Sequence, residues 1–343
     1  MIERGAVQPI PSAIPRPELA GDISKTLRTN SFLADIHDQI GDSLQRVEQV
    51  IGDTLSSKHF EVSSLTQAVS ELSGKRLRPM LVLLSARAAA PEVQSIRHES
   101  ILIAATVELV HVASLIHDDF MDSNLVRRNA PTIHQRVGTH TAILLGDYLF
   151  TRAYWLAAQC HSGLPARSIA DAAKRLCEGE LRQQANSQNW QLSFRAYRSI
   201  LLQKTAALCE VSCRLGAWSV HTTRERSLAL SRFGRFLGIA FQIYDDWLDY
   251  WGTASTGKTL GTDLRQGKPT LPLMRALRKS VPTLRRQLLR RLQQGNVELL
   301  DPIVQQALNT TDAESFTLAC AMRYVRRAQE ELRKLPDSSS KQL

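Results

Sequence analysis

The sequence predicts an all-α protein, a single domain of about ten helices, on three observations. Apolar residues recur every three to four positions through most of the chain, no alternating strand pattern persists, and proline is scarce in the middle. Between residues 92 and 268 only Pro131 and Pro165 occur, so that stretch can run as long, uninterrupted helices. No internal repeat stands out.

Pro9, Pro11, Pro15 and Pro17 mark residues 1–28 as a flexible arm. Phe32, Ile36, Ile40, Leu44, Val47 and Ile51 then give an amphipathic first helix. Segments 94–123, 139–162, 166–187, 194–220 and 224–251 read the same way. Their interiors (VELVHVASLI, AILLGDYLF) are apolar on more than one face, as in helices buried inside a bundle. Residues 275–291 carry seven cations and no acid. A solvated helical face is the plain reading there, with membrane or nucleic-acid contact as rivals; no aromatic residue is interleaved to stack on single strands. The domain is expected over 29–336, with 337–343 as a tail.

Composition excludes several classes. The chain has 343 residues, 43% apolar and 22% charged, enough to bury a core and unlike a disordered chain. The longest apolar stretch, Ile101 to Ile116, is broken by Glu108 and His111, short of the ~18 residues of a membrane span. With no secretory h-region at the start, a cytoplasmic protein is expected. The 43 basic and 33 acidic residues leave +10, which favours an anionic partner. Cys160, Cys177, Cys209, Cys213 and Cys320 are odd in number and form no CxxC pair, so they read as buried thiols in a reducing compartment.

The chemistry lies in two aspartate triplets. Asp118, Asp119 and Asp122 close one helix, and Asp245, Asp246 and Asp249 sit near the end of another. In each, the first and last acids are four apart and share a helix face, about 5–6 Å from each other. Such clusters repel and are poor helix formers, so they call for a counter-charge. Oxygen-only ligands suit Mg2+, which usually bridges carboxylates to substrate phosphates. One DDxxD can end a helix by chance; two in the same phase point to a metal site. Cations supply the other half. Lys75, Arg76 and Arg78 stand at a helix entrance, Arg127 and Arg128 follow the first triplet, and Lys258 and Lys268 follow the second. Each alone reads as surface charge; together, acids for metal and bases for phosphate describe a diphosphate site.

The order GKRLRP, HVASLIHDDFMDSNLVRRNAPT, LLGDYLF, CEGELRQQ, QKTA and FQIYDDWLDYWGTASTGKTLGTDLRQGKPTLP resembles the trans-isoprenyl diphosphate synthases, the polyprenyl synthetase family, over residues 31–335. The resemblance implies an isoprenoid-synthase-like bundle of mostly antiparallel helices, usually a homodimer, with both aspartate motifs facing a deep central cavity. It implies Mg2+, two or three ions per site, joining an allylic diphosphate to isopentenyl diphosphate. Carried over by position, Asp118, Asp122 and Asp245 resemble the principal metal ligands, completed by Asp119, Asp246 and Asp249. Lys75, Arg78, His111 and Arg128 match the isopentenyl diphosphate site; Arg127, Lys204, Thr205, Gln242, Lys258 and Lys268 match groups around the allylic diphosphate. Without the family, Lys204 and Gln242 read as a solvated lysine and an interior amide.

Ala113 and Ser114 lie one turn before the first motif, with Val110, Val107, Ala105 and Ala104 deeper. A turn rises about 5.4 Å, close to one extended isoprene unit, so small residues at 113 and 114 leave a path for a growing tail. The pair resembles the long-chain members and sets the expected product at about C30 or longer, centred on about C35–C45. Phe150, Tyr154 and Trp155 are candidates for its floor. Ser73 and Asn129 stand where many relatives have glycine, and the chain ends at LPDSSSKQL where relatives continue into another short helix. Rival readings are a shorter-chain (C15–C20) synthase, a subunit needing a heteromeric partner, a class I terpene cyclase, a metal-dependent phosphohydrolase using His117 and Asp118, and a basic binding protein without chemistry. The motifs favour no nucleic-acid partner, and membrane contact only at the periphery for product release.

Overall fold

The computed structural model describes residues 29–70, 74–93, 95–127, 130–252, 260–295 and 297–343. It is helical almost throughout. In chain order the helices are α1 (Thr29–Leu55), α2 (Phe60–Ser70), α3 (Leu77–Ala89), α4 (His98–Met121), α5 (Ile133–Val137), α6 (Thr139–Ala157), α7 (Leu164–Ala185), α8 (Phe194–Leu201), α9 (Ala207–Ser219) and α10 (Arg224–Trp251). After them come α11 (Thr262–Arg265), α12 (Leu271–Lys279), α13 (Pro282–Gln293), α14 (Pro302–Asn309), α15 (Ala313–Leu332) and α16 (Ser339–Gln342). The excess over about ten consists of short segments such as α5, α11 and α16.

Helix α4 is the axis of the bundle. Sixteen of its residues are buried, and α1, α3, α6, α7 and α9 pack around it. It is the one described helix long and apolar enough to cross a membrane, and most of its apolar window is buried inside the protein. Its all-round apolarity therefore serves a central core position. Against it lie the apolar stripe of α1 (Ile36, Ile40, Val47, Ile51), together with Leu145, Leu149, Ala153 and Leu156 of α6. A second core lies under α12–α14, built on Leu277, Leu284, Leu288, Leu292, Val304 and Leu308. Proline opens several of these helices (Pro165, Pro272, Pro282, Pro302), where its missing N–H costs nothing.

The boundaries differ from the periodicity reading in four informative places. The apolar pattern at 94–123 becomes a helix only from His98, and that at 139–162 stops at Ala157. Segment 194–220 is interrupted by a π-helical turn, Leu202–Ala206, which inserts one residue into the helical phase without disturbing the apolar pattern. Residues 275–291 break at Ser280, because Pro282 cannot continue a helix and starts a new one. A two-residue antiparallel ladder, Val126–Arg127 with Ala130–Pro131, is too short for any alternation to reveal. Beyond residue 336, α16 lies on α3, Ser340 is buried, and the Ser339 and Ser340 hydroxyls donate to Gln39 Oε1 at 3.1 and 2.9 Å. Four of the five cysteines are buried free thiols; Cys177, on α7, is exposed, contrary to the reading of all five as interior.

Candidate active site

The first aspartate motif closes α4, and its three acids have three different environments. Asp122 is the C-cap, its N–H bonded to the Asp118 carbonyl at 2.8 Å. Its carboxylate accepts Lys268 Nζ on both oxygens at 2.8 Å. That lysine is 9% exposed and follows Gly267, whose φ of 69° turns the chain back toward α4. Asp119 points elsewhere, into a bidentate contact with Arg127 Nε (2.8 Å to each oxygen) and a bond from Asn124. The Asp118 carboxylate has no hydrogen bond or ion pair among the described residues. Burial pushes its carboxyl up to about 6, with Lys204 and Lys268 pulling down and Glu180 and Asp122 pushing up. It is a desolvated acid in need of a cation.

Lys204 stands opposite, on the π turn. Its Nζ lies 2.6 Å from Glu180 Oε2 and 2.7 Å from Gln183 Oε1, both on α7. A Cβ on Gly179 would stand 2.5 Å from the Lys204 backbone nitrogen, so the glycine of CEGELRQQ lets the turn approach α7. Burial works against the Lys204 ammonium, but Glu180 and Asp118 outweigh it and the net shift is upward, so the charge is retained. The next residue reaches the second motif. Thr205 donates to Gln242 Oε1 at 2.7 Å, and Gln242 Nε2 donates to Asp246 Oδ1 at 3.0 Å. Tyr197 donates to the other Asp246 oxygen at 2.5 Å. Burial first, and then Asp263, raise the Asp246 carboxyl well above the usual range. Asp249 accepts from the backbone N–H of Thr262 (3.0 Å) and Asp263 (3.1 Å), tying α10 to α11. Lys204 in the field of one motif and Thr205 bonded into the other bring α4 and α10 together around the π turn.

Lys75 and Arg78 sit at the entrance to α3, the lysine exposed and the arginine half-buried. Arg78 Nε is buried with no hydrogen-bond partner, an orphan donor that an anion would satisfy. His111 is half-buried on α4. Of the three cations at this entrance, Arg76 is turned inward to Glu48 and Glu108, with φ at 53°, and is not offered to a ligand. Arg128 and Lys258 lie outside the described residues, as do Ser73 and Asn129. The residue reading missed Glu180, Gln183 and Tyr197 as partners of the site; the first two lie in CEGELRQQ, where the signal was available.

Ala113 and Ser114 are buried in α4, and Ser114 donates to the His111 carbonyl at 2.8 Å. Below the motif, rings line α4 and α6: His117 lies 6.0 Å from Phe150, which stacks on Tyr154 at 6.3 Å. Trp155 is 54% exposed under Arg152, so within one chain it cannot be a floor.

The donor set is all oxygen, which suits a hard divalent cation. Among the described residues no three Asp, Glu, His or Cys side chains converge into a ready metal cage. A divalent ion held here would therefore take additional oxygens from a ligand, as when Mg2+ bridges carboxylates to phosphates.

The model of the polyprenyl synthetase family matches residues 60–308. The chain is 34% identical over 301 residues to octaprenyl diphosphate synthase of Haemophilus influenzae, covering 87% of this chain and 90% of that one. It is 32% identical over 298 residues to heptaprenyl diphosphate synthase component 2 of Bacillus subtilis, covering 87% and 84%. A decaprenyl diphosphate synthase from Rhodobacter capsulatus superposes with a TM-score of 0.83 at 31% identity, over 90% of this chain and 94% of that one. A Caulobacter crescentus polyprenyl synthase, solved with calcium and isoprenyl diphosphate, gives 0.80 at 31% over 90% and 93%.

Proposed function

Because the chain belongs to the polyprenyl synthetase family, we propose that it condenses isopentenyl diphosphate head-to-tail with an allylic diphosphate into an all-trans polyprenyl diphosphate of about C35–C45. The observation that carries the reading is Asp118: half-buried, its carboxyl raised to about 6 by desolvation, with no hydrogen bond or ion pair to that carboxylate among the described residues, and in the field of Lys204 and Lys268. Asp118, Asp122 and Asp245, with Asp119, Asp246 and Asp249 in support, would hold Mg2+, which when bound would supply Lewis-acid stabilisation of the diphosphate as a leaving group. The chain's own groups do the rest. Lys204, Lys268 and Arg127 present fixed charge to the departing oxygens, an electrostatic role that needs no rearrangement in the transition state, and Lys258 is assigned to the same diphosphate by its place in the motif. The allylic C–O bond breaks, and the isopentenyl double bond, positioned by Lys75, Arg78, His111 and Arg128, attacks the allylic carbon. The adjacent C–H proton then passes to the released diphosphate. Tyr197 directly, and Thr205 through Gln242, keep Asp246 oriented. The apolar residues of α4 and α6 exclude water from the cation.

Ala113 and Ser114 support the long product, since they leave the tail's path beside α4 without a ring. A homodimer reading is supported by one face of α6. Leu144 and Trp155 lie eleven residues apart, three turns on one stripe, and are 68% and 54% exposed; Leu181 of α7 is exposed at 71%. A heteromeric reading has one observation in its favour, the relatives named component 2. Free cysteines fit the cytoplasm.

The test is the purified chain with labelled isopentenyl diphosphate, farnesyl diphosphate and Mg2+, the dephosphorylated products being sized. A ladder to C30 or beyond, abolished by chelator and by Asp118→Ala, is expected. A stop at C15–C20 would overturn the product length; no product with the chain alone, restored by a second subunit, would establish the two-chain form.

A further inference from the structure

The basic stretch 275–291 has no place in the site, and its charges divide sharply by partner. Arg275 pairs with Asp312 and Arg291 with Asp301, both as ion pairs. Arg285 donates to the carbonyls of Arg278 and Ser280, which joins the start of α13 to the end of α12 but neutralises nothing. Among the described residues Arg278, Arg285, Arg286, Arg290 and Lys279 have no carboxylate at ion-pair distance, and Asp312, in whose field Lys279 lies, is already claimed by Arg275. All five are exposed.

Geometry makes this a face. Leu284, Leu288 and Leu292 form the buried stripe of α13, so Arg286 and Arg290, each two residues on from a stripe leucine, lie on the opposite side. Like charges four apart on a helix repel, so the pair is held at a standing cost unless an anion covers it. Large apolar side chains are exposed at both ends of this helix: Val281, 62% exposed, at its start, and Leu300, 83% exposed, beside the Arg291–Asp301 pair at its end. Acid-free cations with apolar tips are the pattern of a helix that lies on a lipid surface; nucleic-acid stacking would want aromatic residues, and none lies between 275 and 291. Helix α12 begins at Leu271, three residues after Lys268.

We propose that the outer face of α12–α13 docks the protein on an anionic lipid leaflet through Arg278, Lys279, Arg285, Arg286 and Arg290, with Val281 and Leu300 entering the headgroup layer. This rests on the prenyl-chain reading for its purpose. A tail of about 35 carbons or more has no appreciable solubility in water, so the enzyme needs a bilayer at hand to receive it.

The experiment is co-sedimentation of the full chain with vesicles of phosphatidylcholine alone or with about 30% phosphatidylglycerol, at low salt and at about 0.5 M salt. Binding is expected only to the anionic vesicles, lost at high salt. Each cation brought to the leaflet is worth roughly fivefold in partition, so Arg286→Gln/Arg290→Gln lowers binding about 25-fold. These outward substitutions leave the labelled-product assay in detergent unchanged, and Leu300→Asp gives a second, uncharged-to-charged reduction. Equal binding to neutral vesicles, undiminished binding of the double variant, or preferential binding to RNA would overturn the proposal. A normal product ladder without vesicle binding rejects the docking face alone; vesicle binding without any product rejects the prenyl-chain reading and leaves the face.

Discussion

Arg76 offers the sharpest test of how the ligand-facing loop is held. It sits in left-handed conformation before α3, sends Nη1 to Glu108 Oε1 at 2.9 Å and Nη2 to Glu48 Oε2 at 2.7 Å. The two acids differ in burial: the Glu108 side chain is 5% exposed and that of Glu48 46%. Truncating one partner of a buried pair leaves the other charge uncompensated and costs about 3–5 kcal/mol, whereas an exposed pair is worth about 0–1 kcal/mol. Arg76→Met is therefore expected to lose about 3 kcal/mol, nearly all of it through Glu108. Glu48→Gln should lose less than about 1 kcal/mol. Arg76→Met/Glu108→Gln should recover roughly 2 kcal/mol of the single-variant loss, because the orphaned carboxylate is gone. Urea unfolding of the parent, of Arg76→Met, Glu48→Gln and Glu108→Gln, and of the double variant measures this cycle, with KM for isopentenyl diphosphate as the second readout. Lys75 and Arg78 flank Arg76, so KM should rise several-fold with kcat little changed. The reasoning fails if Arg76→Met stays within about 0.5 kcal/mol of the parent, or if the double variant is less stable than either single one.

Three further outcomes are expected. Gly179→Ala places a methyl against the Lys204 backbone and should displace the π turn; kcat should fall at least tenfold with modest loss of stability, and equal kcat would show that the close approach is dispensable. Ala113→Tyr, at a position with no exposed surface, should cut the product to C15–C20, read by chromatography of dephosphorylated products; an unchanged ladder would reject the ruler. Asp301 accepts from Ile303 N–H at 2.9 Å and Arg291 Nε at 2.7 Å, and although burial works the other way, these partners hold its carboxyl below the ordinary value. Its contribution is therefore full above the unfolded carboxylate range and is lost as pH falls through the lowered folded value. Asp301→Ala should cost about 1 kcal/mol near neutrality and less in acid, so parent and variant melting curves should converge as pH is lowered.

Much of the scaffold was legible because helical burial writes itself into spacing. The apolar stripe of α1 and the all-round apolarity of α4 both follow from where their side chains go. What spacing does not encode is a change of phase that leaves composition alone. The π turn at Leu202–Ala206 adds one residue to a helix whose neighbours remain apolar, and it is the feature that points Lys204 and Thr205 at the two motifs. The site shows the same division. Paired aspartates at a four-residue interval announce a shared charge, but not how each is answered; Asp119 and Asp118 are adjacent in sequence, yet one is bound by Arg127 and the other has no protein partner among the described residues. Arg76 among its fellow cations is the converse case, since composition at a helix entrance cannot tell a ligand-facing arginine from one turned inward to a buried glutamate.

That division bears on how the site works. Asp119, Asp122, Asp246 and Asp249 are each fixed by a defined protein partner: arginine, lysine, an amide and a phenol, or backbone N–H groups. Such partners fix carboxylate orientation before any ligand arrives, so little reorganisation is left for the reacting complex. Asp118 differs from them in joining a raised pKa to a carboxylate with no hydrogen bond or ion pair among the described residues. A group in that state gains most from a divalent ion, because the ion removes the desolvation penalty that the protein leaves in place. Removing Asp118 should therefore abolish turnover while raising thermal stability of the ligand-free chain slightly, whereas removing Asp122 should lower both, since it strands the buried Lys268. Thermal unfolding of Asp118→Asn and Asp122→Asn without metal distinguishes the two, and equal destabilisation would refute the assignment of separate roles.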